Sequence, residues 1–276
     1  MAGMTLLRVD DYRALASDAV VLDVRWSLAG GSGGSDYAAG HLAGAVFIDF
    51  DADICGPPGD EGRHPLPDPA HLEKALRRAG VCDDSTVIVY DGGDLMSASR
   101  TWWTLRWAGL PDVRVLDGGY AAASAAGLGG DTTEVEPQAG TVTVRPGRLP
   151  VLDGDGAAAK AAAGELYDVR TQARYRGDDG VIDPVAGHIP GAVNLPGDHV
   201  LAAGGIGFES PERLRELFAG VPAGSGYYCG SGVTAARTAL AATLAGLDTP
   251  PVYIGSWSAW IRDRSRPVAT GEGDVR

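Results

Sequence analysis

Along this chain, short apolar runs rich in Val, Ile and Tyr alternate with Ala-, Leu- and Arg-rich stretches whose apolar positions recur at helical spacing. Such alternation predicts an α/β fold of parallel strands joined by crossover helices. Two instances are clear: a strand at 87–90 before a helix at 98–109, and a strand at 226–228 before a helix at 234–246. The run AAAKAAAG at 157–164 has high helix propensity and ends in Gly, so a helix is expected to open the second half.

The pattern runs twice. VVLDVRW (20–26) followed by GHLAGAVFIDF (40–50) is echoed by ELYDVR (165–170) followed by GHIPGAVNLP (187–196). VIVYDGG (87–93) then pairs with GYYCGSG (226–232), and VRVLDGGYAA (113–122) with PVYIGSWSAW (251–260). Matching order and content over this distance indicates a duplicated domain rather than a solenoid. The expected division is a first domain at 1–126, a connector at 127–149 and a second domain at 150–276. The connector is poor in apolar clusters and carries Gly, Pro and Thr, and its piece TVTVR (141–145) alternates as a surface strand would.

Size and composition narrow the class. A chain of 276 residues is long enough for two cores, and its 45% hydrophobic and 21% charged content is that of a globular protein. No apolar run approaches the roughly 20 residues of a membrane span, and the start lacks the basic-then-apolar layout of a secretory signal, so a soluble cytoplasmic protein is expected. A net charge of −13 argues against nucleic acid or an anionic membrane as a partner. The three cysteines, Cys55, Cys82 and Cys229, form no CxxC pair and have no histidine at zinc-finger spacing, which favours free thiols and no metal site. Cys55, in a Gly/Pro-rich loop, and Cys82, in a polar turn, read as incidental.

Cys229 is different. In YYCGSGVTAARTALAATLAG (227–246) an apolar strand stops at the cysteine and a helical stretch begins near Thr234. Gly230 and Gly232 let the backbone curl with its N–H groups inward, while the following helix aims its N-terminal dipole at the same point. That cradle holds an anion and favours thiolate over thiol, so a nucleophilic Cys229 with a lowered pKa is expected. In the first half the matching position is Asp91, in a similar turn.

With the duplication, the two GHxxGAV segments and the loop Cys229-Gly230-Ser231-Gly232-Val233-Thr234 together, the chain resembles the tandem rhodaneses, the thiosulfate and 3-mercaptopyruvate sulfurtransferases, over nearly its whole length. The resemblance implies two rhodanese-like domains, the first inactive and the second catalytic, needing no cofactor. Mercaptopyruvate-type members read CGSGVT or CGTGVT, as here, whereas thiosulfate-type members read CRKGVT. Carried over by residue, the family's substrate arginine falls on Arg174, whose guanidinium would grip a carboxylate. The second arginine usual in a following Pro-Arg pair is missing from 178–183. Asp51 and His64 match the family's aspartate and histidine and, with Ser231, make a proton relay. Arg100, in SRTWW (99–103), is implied near the site, and Trp257 beside the loop with Gly230, Gly232, Val233 and Thr234. His41 and His188 recur in both halves and read as structural, and Trp260 as packing.

The implied reaction moves a sulfur atom from 3-mercaptopyruvate, or alternatively thiosulfate, through a persulfide on Cys229 to cyanide, a small thiol or a thioredoxin-like protein. Two rivals come from other classes. A cysteine phosphatase needs Cys-x5-Arg, but the sixth position after Cys229 is Ala235, with Arg237 two residues further on. A non-catalytic rhodanese module would have no use for an intact thiol in an intact loop.

Overall fold

A computed structural model describes residues 5–179, 182–272 and 274–275 of the chain. Of the segment 178–183, searched above for an arginine, Gly180 and Val181 lie outside the described residues. Contacts divide the chain into two units. The first holds residues 1–56, 66–149 and 201–209; the second holds 57–65, 150–200 and 210–276.

Each unit is built on a five-stranded parallel sheet. In the first the order is Val46–Phe47, Val20–Asp23, Thr86–Tyr90, Asp112–Leu116, Leu6–Leu7. In the second it is Val193–Asn194, Leu166–Asp168, Gly226–Tyr228, Val252–Tyr253, Val151–Leu152. The two orders correspond strand for strand, so the duplication read from sequence is a duplication of topology. In both, the strand carrying the Asp91 or Cys229 turn lies third of five. Val87, Ile88, Val89 and Tyr90 are all fully buried, as are Tyr227 and Tyr228, the continuous burial of a parallel sheet covered on both faces.

Helices fall close to where the periodicity put them. The predicted 98–109 is Met96–Trp107, and 234–246 is Val233–Leu244. The Ala-rich run is Gly154–Ala162, capped by the Asp153 side chain, which accepts from Gly156 N. It stops before Gly164, whose φ of +71° suits glycine.

Two structural pairs recur. Asp23 holds Arg25 through Oδ2 at 2.7 Å, and Arg25 also donates to Gly40 O; Asp168 holds Arg170 at 2.6 Å, and Arg170 donates to Gly187 O. His41 Nδ1 donates to Tyr37 O and its ring stacks on the Tyr37 ring at 3.9 Å, while His188 Nδ1 donates to Tyr175 O and stacks on that ring at 3.7 Å. Both histidines are buried braces, as their recurrence in both halves implied.

The stretch expected as a connector, 127–149, groups with the first unit. Val142 N donates to Val81 O, Arg145 N to Ala108 O and Thr143 N to the Asp83 carboxylate, and Val142 is buried. TVTVR is thus extended and tied down, yet it forms no strand, because its donors go to scattered acceptors rather than to one neighbouring strand.

Candidate active site

The strand Gly226–Tyr228 delivers Cys229 to a three-residue turn, and the helix Val233–Leu244 begins directly after it. Gly232, with φ at +81°, makes the reversal that starts the helix and donates its N–H to Cys229 Sγ at 3.2 Å. Cys229 is 2% exposed, so its sulfur sits within the cradle rather than on the surface. Val233 is buried at the first position of the helix and Thr234 is half-buried beside it.

A second segment fixes the cysteine from behind. Ser256 Oγ accepts the Cys229 N–H at 3.1 Å and donates to Tyr253 O at 2.8 Å. Trp257 N donates to Cys229 O and Ser258 N to Gly230 O. The Trp257 ring is fully buried, its Nε1 donates to Val185 O and the Arg170 guanidinium lies 4.9 Å from its centroid. Trp257, expected beside the loop, supports it: its backbone N–H holds the Cys229 carbonyl and its ring is core. Trp260 packs in the same core, as expected.

Residues 57–65 bring two more functional groups to this unit. Gly59 and Gly62 exchange backbone hydrogen bonds, and Gly62 packs so closely on Gly255 that an added Cβ would lie 2.7 Å from Gly255 O. Arg63 N then donates to Ser258 Oγ, and His64 Nδ1 sits 2.8 Å from Ser231 Oγ. The expected His64–Ser231 pair is therefore in place. Asp51 lies in the first unit, where Trp26 Nε1 donates to its Oδ2, and burial raises its pKa. Arg100 also lies in the first unit, fully buried, with Nε donating to Thr104 Oγ1.

Arg174 reaches the loop: an added Cβ on Gly230 would lie 2.7 Å from its Nη2. Its partner Asp183 is buried, which by itself would raise the carboxyl pKa, but hydrogen bonds from Arg174 and Arg63 outweigh this and leave it lowered. Arg63 was not among the residues singled out from the sequence. Nothing in its local pattern marks it, although GRHPLP places it next to His64.

The phosphatase reading fails on geometry as well as spacing. Ala235 is buried in the helix, and Arg237 is turned away to Gly197 O and the Asp198 carboxylate. The thiol of Cys55 is buried and pushed up to about 11, mainly by burial, which suits an inert residue.

The first unit carries a counterpart of the cysteine turn with different contents. Asp91 replaces the cysteine and accepts from Gly93 N and Leu95 N on one oxygen and Ala98 N on the other. The first loop is one residue longer: Leu95, at φ +61°, stands where Gly232 does. Tyr120 N donates to Asp91 O as Trp257 N does to Cys229 O, so the equivalent of Trp257 is Tyr120, one position beyond the pairing read from sequence.

Comparison with known proteins agrees with this architecture. The rhodanese-like domain family matches at residues 9–126 and 155–263. A Pseudomonas aeruginosa protein named "Probable 3-mercaptopyruvate sulfurtransferase" is 42% identical, over 99% of this chain and 100% of its own. A Rattus norvegicus protein named thiosulfate sulfurtransferase is 34% identical, over 92% of this chain and 88% of its own. The crystal structure of SseA from Escherichia coli, described with the 3-mercaptopyruvate sulfotransferases, matches at 30% identity and a TM-score of 0.77, covering 92% of this chain and 98% of that one. The chain belongs to the rhodanese family, as a two-domain sulfurtransferase.

Proposed function

We propose that Cys229 carries the sulfur, taking it preferentially from 3-mercaptopyruvate. The observation that carries this reading is the buried Cys229 Sγ in a glycine turn, with Ser231 of that turn paired to His64 and the Arg174 guanidinium against Gly230. The thiolate attacks the donor's sulfur, the S–S bond forms and the C–S bond breaks, leaving its electron pair on the pyruvate enolate. The thiol proton of the donor ends on that carbon, and Ser231 with His64 is the path by which it travels. The products are pyruvate and a Cys229 persulfide. Asp51, which the family resemblance implies for the same relay, lies in the first unit.

In the second half-reaction an acceptor thiolate attacks the outer sulfur, and the Cys229 thiolate leaves. A small thiol, cyanide or a thioredoxin-like protein fits that role. Among the described residues no helix is long and apolar enough to cross a membrane, and all three cysteines are free, which suits a cytoplasmic setting. The first unit is read as inactive, because Asp91 offers a carboxylate where a thiol is needed.

A thiosulfate donor is the second reading, favoured by the names of relatives such as the rat protein. The loop argues against it, since Gly230 and Ser231 supply no charge for a dianion. Intact mass tests the core of the proposal: after treatment with mercaptopyruvate the protein gains one sulfur that a reductant removes, and Cys229→Ser does not. A Cys229→Ser protein that still gained it would remove Cys229 from the chemistry. The ratio of kcat/KM for the two donors decides between the readings, and a ratio favouring thiosulfate would replace the mercaptopyruvate assignment.

A further inference from the structure

The guanidinium missing from 178–183 has a counterpart elsewhere in the second unit. An added Cβ at Gly230 would stand 2.7 Å from Nη2 of Arg63 and equally 2.7 Å from Nη2 of Arg174. The two cations thus converge on the residue that follows Cys229, and the absence of a side chain there lets them in. Both are anchored to one carboxylate: Arg63 Nη1 donates to Asp183 Oδ1 at 2.9 Å, and Arg174 Nη2 to Asp183 Oδ2. The Nε atoms of Arg63 and Arg174 are buried and, among the described residues, have no hydrogen-bond partner. A buried guanidinium donor without an acceptor is costly, and an incoming oxyanion is the group that supplies one.

The charges around this point do not cancel. Arg170 reaches Asp183 as well, at 3.4 Å, but is already paired with Asp168. Three guanidiniums meet two carboxylates in this cluster, so cationic donors remain for an incoming carboxylate beside the cysteine loop.

We propose that Arg63 is a donor-binding residue, which with Arg174 forms a two-guanidinium clamp for the carboxylate of the sulfur donor. The clamp rests on the reading of Cys229 as the nucleophile that meets that donor. Asp183 holds the two forks in register before the donor arrives, and Ser258 fixes the Arg63 backbone through its hydroxyl. Arg63 precedes His64 by one residue, so one short segment supplies both carboxylate recognition and the relay.

The test uses alkylation of Cys229 in the full chain by a carboxylate reagent, iodoacetate, and its neutral analogue, iodoacetamide, followed by peptide mass. In Arg63→Met the ratio of the iodoacetate to the iodoacetamide rate falls about tenfold or more, the loss expected for a charged hydrogen-bonding partner. Arg63→Lys, which keeps the charge without the fork, loses less. The KM for mercaptopyruvate rises in the same order across the variants. An unchanged alkylation ratio in Arg63→Met would overturn the clamp. A clamp failure is distinct from a failure of the sulfur-carrying reading, in which the wild-type protein would gain no sulfur mass on Cys229 whatever the alkylation ratio. Asp183 keeps Arg174 and Arg170 when Arg63 is replaced, and the iodoacetamide rate reports directly whether the turn stays intact.

Discussion

Ser231 and His64 share a hydrogen bond 2.8 Å long, and only one of the two donors gives that bond a proton to move. When mercaptopyruvate loses its sulfur, an enolate carbon has to be protonated; when thiosulfate loses one, sulfite leaves without any such need. Ser231→Ala therefore lowers kcat with mercaptopyruvate by about 10²–10⁴-fold, the usual span of general acid catalysis, and lowers it far less with thiosulfate. Steady-state kinetics with both donors check this, and equal losses would take the hydroxyl out of the proton path. At this scale the sequence was informative where chemistry is local. The strand-to-helix turn and Cys229 are marked by type and spacing, Ser231 and Arg174 by the family resemblance, and Arg174 does reach Gly230. Arg63 was illegible because its role depends on a contact with residues more than a hundred positions away, Asp183 among them. Trp257 was legible as a neighbour of the loop, but only packing tells that its ring is buried in the core.

At the scale of elements, each anion cradle is a strand, a turn and a helix, backed by a second turn that pins its first carbonyl. In the second unit that second turn places Ser256 at φ +52°, a left-handed conformation that disfavours any residue but glycine. The counterpart in the first unit is Gly119, at φ +53°, where an added Cβ would approach Asp91 O to 2.4 Å. Serine is kept in the second unit because its hydroxyl bridges Cys229 N and Tyr253 O. Ser256→Gly loses the bridge but relieves the backbone; Ser256→Ala loses the bridge and keeps the strain. The alanine variant is accordingly less stable than the glycine variant by about 1 kcal/mol, an inversion of the ordinary ranking measurable by urea denaturation. An alanine variant as stable as the glycine one would mean that the turn carries no strain. The periodicity predicted strands and helices here to within about two residues, yet the Tyr120–Trp257 equivalence emerged only from hydrogen bonds, because a one-residue shift between two turns leaves no trace in hydrophobic spacing.

Across the whole molecule, one duplicated plan has been given two contents, a thiol in one cradle and a carboxylate in the other. Asp91 fills its cradle with its own anion: three backbone N–H groups that could receive a sulfur-borne charge are already satisfied. Burial nevertheless dominates, with the nearby Asp94 charge adding to it, and raises the Asp91 pKa from 3.8 to about 6 in spite of those hydrogen bonds. A carboxyl whose folded pKa lies above its unfolded one binds protons more tightly in the folded chain. Its contribution to stability is fully present below about pH 4 and is lost as pH rises through about 6. Asp91→Asn has no such dependence. The difference in unfolding free energy between wild type and Asp91→Asn, followed from pH 4 to pH 7, therefore moves against the wild type by up to about 3 kcal/mol. Titrating groups that do not interact with Asp91, His188 included, are common to both proteins and cancel in that difference. A wild type that instead gained on the variant with rising pH would show that the cradle's N–H groups outweigh burial, so that an anion is stabilised there as strongly as the cysteine cradle is proposed to do.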